Sequence, residues 1–426
     1  MSITAWAATI IFLVVFVLIS TEKLTNAVAA VSGAALCIIC GIVKQESVYT
    51  SINWDVILLL LNMMIIVNVT KTTGIFQFLA VKTAKAAKGS PIAILLLLSV
   101  LTAFISAFLD NVTTILIIAP VAITIAAELT ISPLPFLICL AISSNIGGTA
   151  TLIGDPPNIM IAAAGNLSFG SFITHTAPLI IVILAVFCLV ATVLFRKQLV
   201  VSEEKKAHIM KLNEKEFLKD PVLLRESLFI LALTIVGFFF NGLLGVDEST
   251  IAMCGAALMM LCYGKRGIGE IFKEVEWTTI IFFCGLFILV GALVDQGIIA
   301  LCSQELISIT NDNFESATVL ILWVSGIFSA FLDNIPYTAT MIPLIEGFGK
   351  GADVSAMQPL WWALSLGACL GGNGTLIGAS ANVVVSSLAQ KAGWPLRFIE
   401  FTKYGLLITA INLLLCTAYL LLKYFV

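Results

Sequence analysis

The sequence has little charge: of its 426 residues, 11% are Asp, Glu, Lys or Arg, and 60% are hydrophobic. Soluble domains carry about 25% charged residues. The mean hydropathy is +1.10, and apolar segments long enough to cross about 30 Å of hydrocarbon recur along the whole chain. No stretch remains for a soluble domain of ordinary size. These features predict an all-α polytopic membrane protein surrounded by the lipid bilayer.

The residues that most catalytic sites need are also scarce. The two histidines, His175 and His208, have no neighbouring ligands at metal spacing. The ten cysteines lie in or beside apolar segments, where packing is the favoured interpretation. The sequence has neither an ATP-binding P-loop nor a recognisable nucleophile–base pair. We therefore expect no enzymatic activity, no cofactor apart from a coupling ion, no structural metal and no nucleic-acid partner.

The dominant positive feature is an internal repeat at an offset of about 223 residues, of the kind found in transporters. The segment Ser-Ala-Phe-Leu-Asp-Asn at residues 106–111 recurs unchanged at residues 329–334. A second segment, Gly-Gly-Thr-Ala-Thr-Leu-Ile-Gly at 147–154, recurs as Gly-Gly-Asn-Gly-Thr-Leu-Ile-Gly at 371–378. A charged stretch separates the two halves. We predict a first repeat over 1–197, a linker over 198–222 and a second repeat over 223–426.

Each half is predicted to contain about five transmembrane helices, one hairpin and one discontinuous helix. The hairpins, at about 91–128 and 315–348, lack the polar connector of a loop in water, which favours a re-entrant hairpin over two full spans. The discontinuous helices lie at about 134–164 and 359–390. The first would be about 46 Å long if unbroken, and Pro156-Pro157 interrupts it.

The two repeats are predicted to be inverted with respect to each other. Each half crosses the membrane an odd number of times, so the second half starts on the opposite side from the first. With the N-terminus outside, 19 of the 22 Lys and Arg residues lie on the cytoplasmic side, leaving Lys44, Lys350 and Lys423 outside. We therefore expect both termini outside, the linker in the cytoplasm, and the protein in the plasma or inner membrane of the cell.

The repeated motif places Asp110 and Asp333 in the middle of apolar segments. An ionisable side chain there costs about 2.5–3.5 kcal/mol on insertion scales, so it indicates a functional site. The alternative is that each carboxylate caps the second helix of its hairpin, and both roles can coexist. The neutral candidates beside them are Asn111, Thr113, Thr114, Asn334 and Thr338; the candidate Na⁺ ligands are Asp110, Asn111, Asp333 and Asn334.

The unwound centres of the discontinuous helices supply further candidates for substrate or ion binding. Glycine lets the backbone approach a ligand, half-helix N-termini favour anionic groups, and freed carbonyls favour Na⁺. A helix break that serves packing alone is the alternative. The candidates are Gly147, Gly148, Thr149, Thr151 and Asn158 in the first half and Gly371, Gly372, Asn373, Thr375 and Asn382 in the second.

The halves differ after this motif, because Asp155-Pro156-Pro157 corresponds to Ala379-Ser380-Ala381. A buried carboxylate can exchange a proton or bind Na⁺, so Asp155 is the candidate for asymmetric ion coupling, with helix capping as the alternative. Asp55 and Glu276, each beside a tryptophan at the start of a third span, are interpreted as interfacial caps rather than site residues.

The segments FLDNVTT at 108–114 and SSNIGGTATLIGDPPNIMI at 143–161 resemble the ion transporter superfamily, closest to its branch of P-protein, arsenical-pump and silicon-efflux permeases. The resemblance covers nearly the whole chain. The related divalent anion:sodium symporters, with a citrate transporter-like domain, carry Ser-Asn-Thr at both hairpin tips, where this chain has Asp110-Asn111-Val112-Thr113 and Asp333-Asn334-Ile335-Pro336. The resemblance implies a homodimer whose hairpins and broken helices move as an elevator against a scaffold of early spans.

Fixed negative charge disfavours a dianion unless it is protonated or paired with a cation, but it suits Na⁺, H⁺ or a neutral oxyacid such as arsenous or silicic acid. The leading prediction is a secondary active transporter that couples a small inorganic solute or oxyanion, arsenite- or silicate-like, to H⁺ or Na⁺. The main alternative is a Na⁺/H⁺ antiporter. A Na⁺-coupled dicarboxylate, citrate or sulfate transporter and a passive anion channel are further alternatives.

Overall fold

The computed structural model describes residues 2–21, 24–264, 267–350 and 353–426, and all regular structure in these ranges is helical. The predicted all-α polytopic fold is confirmed. Seven of the described helices are long and apolar enough to cross a membrane, by length and composition. They are Trp54–Thr72, Asn111–Leu129, Ala177–Phe195, Pro221–Phe239, Trp277–Asp295, Phe314–Phe331 and Phe398–Tyr424.

The first half and the linker contain twelve α-helices among the described residues. In order they are α1 (Ile3–Ser20), α2 (Asn26–Ile39), α3 (Gln45–Ser51), α4 (Trp54–Thr72), α5 (Ile75–Ala86), α6 (Pro91–Ser106), α7 (Asn111–Leu129), α8 (Leu134–Gly148), α9 (Pro156–Gly165), α10 (Phe169–His175), α11 (Ala177–Phe195) and, in the linker, α12 (Glu203–Lys211). A 3₁₀ turn at Glu214–Phe217 follows.

The second half repeats the same order of long helices. Its helices are α13 (Pro221–Phe239), α14 (Asn241–Leu244), α15 (Glu248–Tyr263), α16 (Ile268–Lys273), α17 (Trp277–Asp295), α18 (Ile298–Thr310), α19 (Phe314–Phe331), α20 (Asn334–Phe348), α21 (Val354–Gly371), α22 (Ser380–Lys391) and α23 (Phe398–Tyr424). The hairpins are therefore α6–α7 and α19–α20, and the broken helices are α8–α9 and α21–α22. The helix α21 begins before the predicted position 359 and continues through Pro359.

The helices pack into two groups. The first, which we call the frame, consists of α1, α2, α4, α13, α15 and α17, with α2 against α17 and α4 against α15. The second, the core unit, consists of both hairpins and both broken helices. Every residue from Pro135 to Gly148 of α8 is buried. The helix α8 therefore lies in the interior of the core unit.

The arms α5 and α18 connect the frame to the hairpins. Each begins after a glycine in the left-handed region, Gly74 at φ 78° and Gly297 at φ 73°, where side chains with a Cβ are disfavoured. The outer surface carries many exposed apolar side chains, such as Leu189 on α11 and Phe229 on α13. Large contiguous apolar surface is expected where a helix contacts lipid, so the surface agrees with a multi-pass membrane protein.

Candidate functional site

The two repeated aspartates cap the second helix of their hairpins. Oδ1 of Asp110 accepts a hydrogen bond from the Thr113 N–H at 2.8 Å. In the second half the residue at the Thr113 position is Pro336, which has no N–H. Oδ1 of Asp333 therefore accepts from the Ile335 N–H instead, at 3.0 Å. Capping is present at both tips, and one carboxylate oxygen of each residue is not used for it.

In each broken helix, an asparagine holds the unwound loop. Nδ2 of Asn158 donates to the carbonyl oxygens of Gly148 at 3.3 Å and Thr151 at 2.9 Å. Nδ2 of Asn382 makes the same pair of bonds, to Gly372 at 2.8 Å and to Thr375 at 2.9 Å. These bonds satisfy carbonyls that the helix break leaves without an intrahelical partner.

The threonine hydroxyls of the loops attach each broken helix to the hairpin of its own half. Oγ1 of Thr151 donates to the carbonyl oxygen of Ala107, and Oγ1 of Thr375 donates to that of Ala330. Thr149 instead donates to the carbonyl of Asn145 within α8, at 2.7 Å. The hairpin tip and the unwound loop of each half are therefore one hydrogen-bonded structure.

Glycine is required where α8 meets the hairpin. A Cβ on Gly147 would overlap the carbonyl oxygen of Ala103, and a Cβ on Gly371 would lie 2.6 Å from that of Gly326 at the equivalent contact. Real Cβ atoms do not approach backbone this closely, so only glycine allows the contact. The two halves therefore have the same close contact between a glycine of the broken helix and the backbone of the hairpin.

Asn145 joins the two halves at the centre of the core unit. Its Oδ1 accepts from Nδ2 of Asn111 at 3.0 Å, and its Nδ2 lies 2.9 Å from Oδ1 of Asn373 and 3.2 Å from Oδ1 of Asn382. Cys369 occupies the position in the second half that is equivalent to Asn145. Its Sγ lies 3.5 Å from Oδ1 of Asn158 in the first half. Each loop-holding asparagine therefore accepts a bond from the other half.

Asp155 is almost completely buried, with 1% relative exposure. It precedes α9, but its side chain makes no capping bond to that helix. Its two carboxylate oxygens lie 3.4 and 3.3 Å from Nδ2 of Asn334, at the tip of the opposite hairpin. The carboxylate of Asp155 therefore faces the second half rather than its own helix.

A cavity of about 350 Å³ lies between the frame and the core unit. Three carboxylates line it, those of Asp110, Asp155 and Glu276, and no Lys, Arg or His is found among the described residues of its lining. The other polar side chains around it are Asn111, Asn334, Thr278, Thr279 and Ser380, and the apolar wall from α4 consists of Leu60, Met63, Met64 and Val67. The cavity thus has two carboxylates from the core unit, a third from the start of α17 in the frame, and an apolar wall from α4.

Four of the predicted site residues meet in this cavity: Asp110, Asn111, Asp155 and Asn334. Asp333 lies outside it and lines a smaller cavity of about 180 Å³, where its Oδ2 is 3.4 Å from Nδ2 of Asn26 and 3.4 Å from Oγ of Ser380. The remaining predicted residues line neither of these two cavities. They are Thr113, Thr114, Gly147, Gly148, Thr149, Thr151, Asn158, Thr338, Gly371, Gly372, Asn373, Thr375 and Asn382.

The interpretation of Asp55 and Glu276 as helix caps is wrong. Asn53, not Asp55, caps α4 through the Val56 N–H at 3.2 Å, and Asp55 accepts from Oγ of Ser249 at 3.0 Å. Glu276 makes no capping bond; it accepts from Oγ1 of Thr279 at 3.1 Å and faces the cavity. The position of Glu276 beside Trp277 suggested an interfacial residue, but the start of α17 faces the core unit.

Asn145 was also missed as a site residue. The signal available in the sequence is its position, a single amide two residues before the Gly-Gly pair, in a helix whose first nine residues are apolar. Among the described residues, no group of three or more His, Cys, Asp and Glu side chains is arranged to hold a metal ion.

Comparison with known proteins gives consistent matches. A sequence model of a family described as citrate transporter matches residues 16–367. The 46 kDa membrane protein of Mycobacterium leprae is 42% identical over 421 residues, covering 98% of each chain. An uncharacterized transporter of Mycobacterium tuberculosis is 41% identical over 425 residues, with the same coverage. The human P protein is 31% identical over 501 aligned positions, covering 98% of this chain and 60% of that protein.

Among solved structures, the YdaH transporter of Alcanivorax borkumensis aligns with a TM-score of 0.58 over 88% of this chain and 86% of that one. MtrF of Neisseria gonorrhoeae aligns with a TM-score of 0.57 over 87% and 81%. Both are 12% identical to this chain, so the likeness concerns the fold.

Proposed function

The chain belongs to the citrate transporter family of the ion transporter superfamily, and on that basis we propose that it is a secondary active transporter that couples a small inorganic solute or oxyanion to H⁺ or Na⁺. The observation that carries the proposal is the cavity, in which the described residues contribute three carboxylates and no basic side chain. Such a cavity attracts cations and repels a free multivalent anion. An anionic substrate would bind there protonated or together with a cation.

The size of the cavity also supports a small substrate. Its volume of about 350 Å³ is near the lower end of the range of about 300–1,000 Å³ typical of pockets for small organic ligands. The amides of Asn111 and Asn334 can both donate and accept hydrogen bonds to an oxyacid. We propose arsenous or silicic acid as the representative class, and H⁺ or Na⁺ at Asp110, Asp155 and Asp333.

The Na⁺/H⁺ antiporter remains the second candidate because the three carboxylates of the cavity, those of Asp110, Asp155 and Glu276, could exchange cations without any other solute. The description of the matching family as citrate transporter keeps Na⁺-coupled citrate, dicarboxylate or sulfate transport as a third. These candidates make different predictions about which solute moves under which gradient.

An elevator movement fits the distribution of polarity. The core unit carries Asp110, Asn111, Asp155 and Asn334. The frame contributes the apolar wall of α4, and its polar side chains in the cavity lie at the start of α17. An apolar wall forms no hydrogen bonds that a sliding core unit would have to break. We further propose a homodimer in the cell membrane, with both termini outside and the linker in the cytoplasm.

The experiment is flux into proteoliposomes that contain the purified full-length protein. Arsenite, silicate, sulfate, citrate and succinate are tested one at a time, each under an imposed pH gradient, an imposed Na⁺ gradient and no gradient. We expect accumulation of one small oxyacid driven by one of the gradients. Gradient-driven Na⁺ or H⁺ exchange without any of these solutes would select the antiporter, and flux that ignores both gradients would contradict the proposal.

A further inference from the structure

Five hydroxyls inside the first repeat have no hydrogen-bond partner among the described residues. They belong to Ser99, Thr102, Ser106, Thr114 and Ser143, and all five residues have 0% relative exposure. Buried serines and threonines in helices ordinarily bond to a carbonyl of the preceding turn, as Thr70 does with Ile66 at 2.8 Å. A buried hydroxyl without a partner carries the full penalty of its lost hydration and calls for an explanation.

In the second repeat, the equivalents of four of these residues are neighbours. Ser325, equivalent to Thr102, has its Oγ 3.2 Å from the hydroxyl of Tyr337, equivalent to Thr114. A Cβ on Gly367, equivalent to Ser143, would lie 2.6 Å from Cβ of Ser325 and 2.7 Å from the carbonyl oxygen of Leu322, equivalent to Ser99. We call the four first-repeat residues Ser99, Thr102, Thr114 and Ser143 the hydroxyl cluster.

The hydroxyl cluster lies where α6, α7 and α8 pack against one another. Gly147 of α8 contacts Ala103 of α6, and Gly371 of α21 contacts Gly326 of α19 at the equivalent position. The helix α8 therefore packs against α6 as α21 packs against α19. None of the four residues lines the acidic cavity. The cluster is therefore a separate feature of the first hairpin.

At the same location in the second repeat, the two hydroxyls present, those of Ser325 and Tyr337, bond to each other. Leu322 and Tyr337 are both buried there. In the first repeat the leucine is replaced by Ser99 and the tyrosine ring by the smaller Thr114. The replacement removes apolar volume and leaves hydroxyl oxygens at this location instead.

The chemistry of the cluster favours a cation. Hydroxyl oxygens are hard, neutral ligands of the kind that bind Na⁺ in transporters together with backbone carbonyls. The cluster lies on the same hairpin as Asp110, whose negative charge is at the tip and would favour a cation nearby. We propose that the hydroxyl cluster is a binding site for a dehydrated Na⁺ ion within the first repeat, distinct from the acidic cavity.

The test is equilibrium binding of radioactive Na⁺ to the purified full-length protein, with no transported solute present, together with the thermal unfolding midpoint in NaCl and in KCl. Both are measured in the wild type and in an Asp155→Asn background, which removes one of the three carboxylates of the acidic cavity. The variants are Thr102→Val and Thr114→Val, which keep the side-chain shape and remove one oxygen. Ser325→Ala is the matched control, because its hydroxyl has a protein partner.

We expect saturable Na⁺ binding and a Na⁺-specific rise of the unfolding midpoint. Each valine variant should weaken Na⁺ binding by about tenfold or more, since one oxygen ligand is lost, and Ser325→Ala should stay within about twofold. Thr114→Tyr, which introduces the tyrosine found at this position in the second repeat, should remove the Na⁺-specific rise of the unfolding midpoint.

Unchanged Na⁺ affinity in the valine variants, or no Na⁺-specific effect in the wild type, would overturn the proposal and leave ordered water as the occupant. Loss of Na⁺ binding in the variants with flux driven by H⁺ alone would support this site and reject Na⁺ coupling.

Discussion

Asn334 at the tip of the second hairpin points its Nδ2 at both carboxylate oxygens of Asp155 in the first broken helix, at 3.3 and 3.4 Å. The reciprocal bond cannot form, because the residue equivalent to Asp155 is Ala379. Asn111, the counterpart of Asn334, donates to Asn145 instead. The pseudosymmetric core unit therefore contains one asymmetric contact that joins a buried charge to the opposite hairpin.

The two tip aspartates are expected to have separable structural and transport roles. Asparagine caps helices as well as aspartate does, so Asp110→Asn and Asp333→Asn should fold normally but lose coupled transport. Alanine lacks the acceptor, so Asp110→Ala should also lose about 0.5–2 kcal/mol of stability. Thermal unfolding and proteoliposome flux are measured on the same preparations. Wild-type coupled flux in both asparagine variants would reduce these residues to caps.

Glu276 is expected to take part in ion movement from the frame side of the cavity. Glu276→Gln keeps the side-chain shape and its bond to Thr279 but removes one of the three cavity charges. The rate of gradient-driven flux should fall by about tenfold or more if a cation passes this carboxylate. Glu274→Gln is the control, because Glu274 pairs with Lys71 at 3.0 Å outside the cavity. Equal flux in the two variants would exclude Glu276 from the path.

Gly74 should tolerate substitution less well than its equivalent Gly297. Both have a positive φ, so alanine adds about 1–2 kcal/mol of backbone strain at each position. At Gly74 a Cβ would also overlap the carbonyl oxygen of Phe217 in the linker, whereas at Gly297 it would meet nothing within 4 Å. Thermal unfolding of Gly74→Ala should therefore show the larger loss. Equal losses of stability in the two variants would mean that the contact between Gly74 and the linker does not restrict the side chain at this position.

The linker is also fixed to α5 by an ion pair between Lys85 and Glu214, with Nζ and Oε2 2.6 Å apart. The Lys85 ammonium lowers the pKa of Glu214 below its ordinary value. The stabilisation is then complete above that ordinary pKa and is lost as the pH falls through the lowered one. Limited proteolysis of the linker should accelerate from about pH 6 to about pH 3.5 in the wild type. Glu214→Gln should be cleaved faster already at the higher pH, and a rate equal to wild type there would contradict the role of the pair.

Much of the fold can be predicted from the sequence because its signals are local. Apolar length marks the spans, Pro156-Pro157 marks the break between α8 and α9, and the duplicated motif marks both tips. The same signals locate Asp110, Asn111, Asp155 and Asn334, four residues of the cavity. Their convergence depends on the packing of one half against the other, for which one sequence has no direct signal.

The residues that could not be predicted show the same limit. Glu276 resembles any acidic residue at the start of a span until the start of α17 is seen to face the core unit. Asn145 has no matching asparagine in the second half, where Cys369 stands, so the repeat comparison does not select it. Asp333 belongs to the duplicated motif but lies in a separate cavity. Sequence symmetry predicts equivalent positions, not equivalent surroundings.

The most direct measurement of cation coupling is uphill solute accumulation in proteoliposomes under an imposed H⁺ or Na⁺ gradient, compared between the wild type and Asp155→Asn. Asparagine removes the buried charge that Asn334 contacts while leaving an amide of the same shape. We predict that wild-type protein accumulates a small oxyacid against its gradient and that Asp155→Asn at most equilibrates it. Accumulation by Asp155→Asn equal to the wild type, or none in the wild type under either gradient, would contradict coupling through this carboxylate.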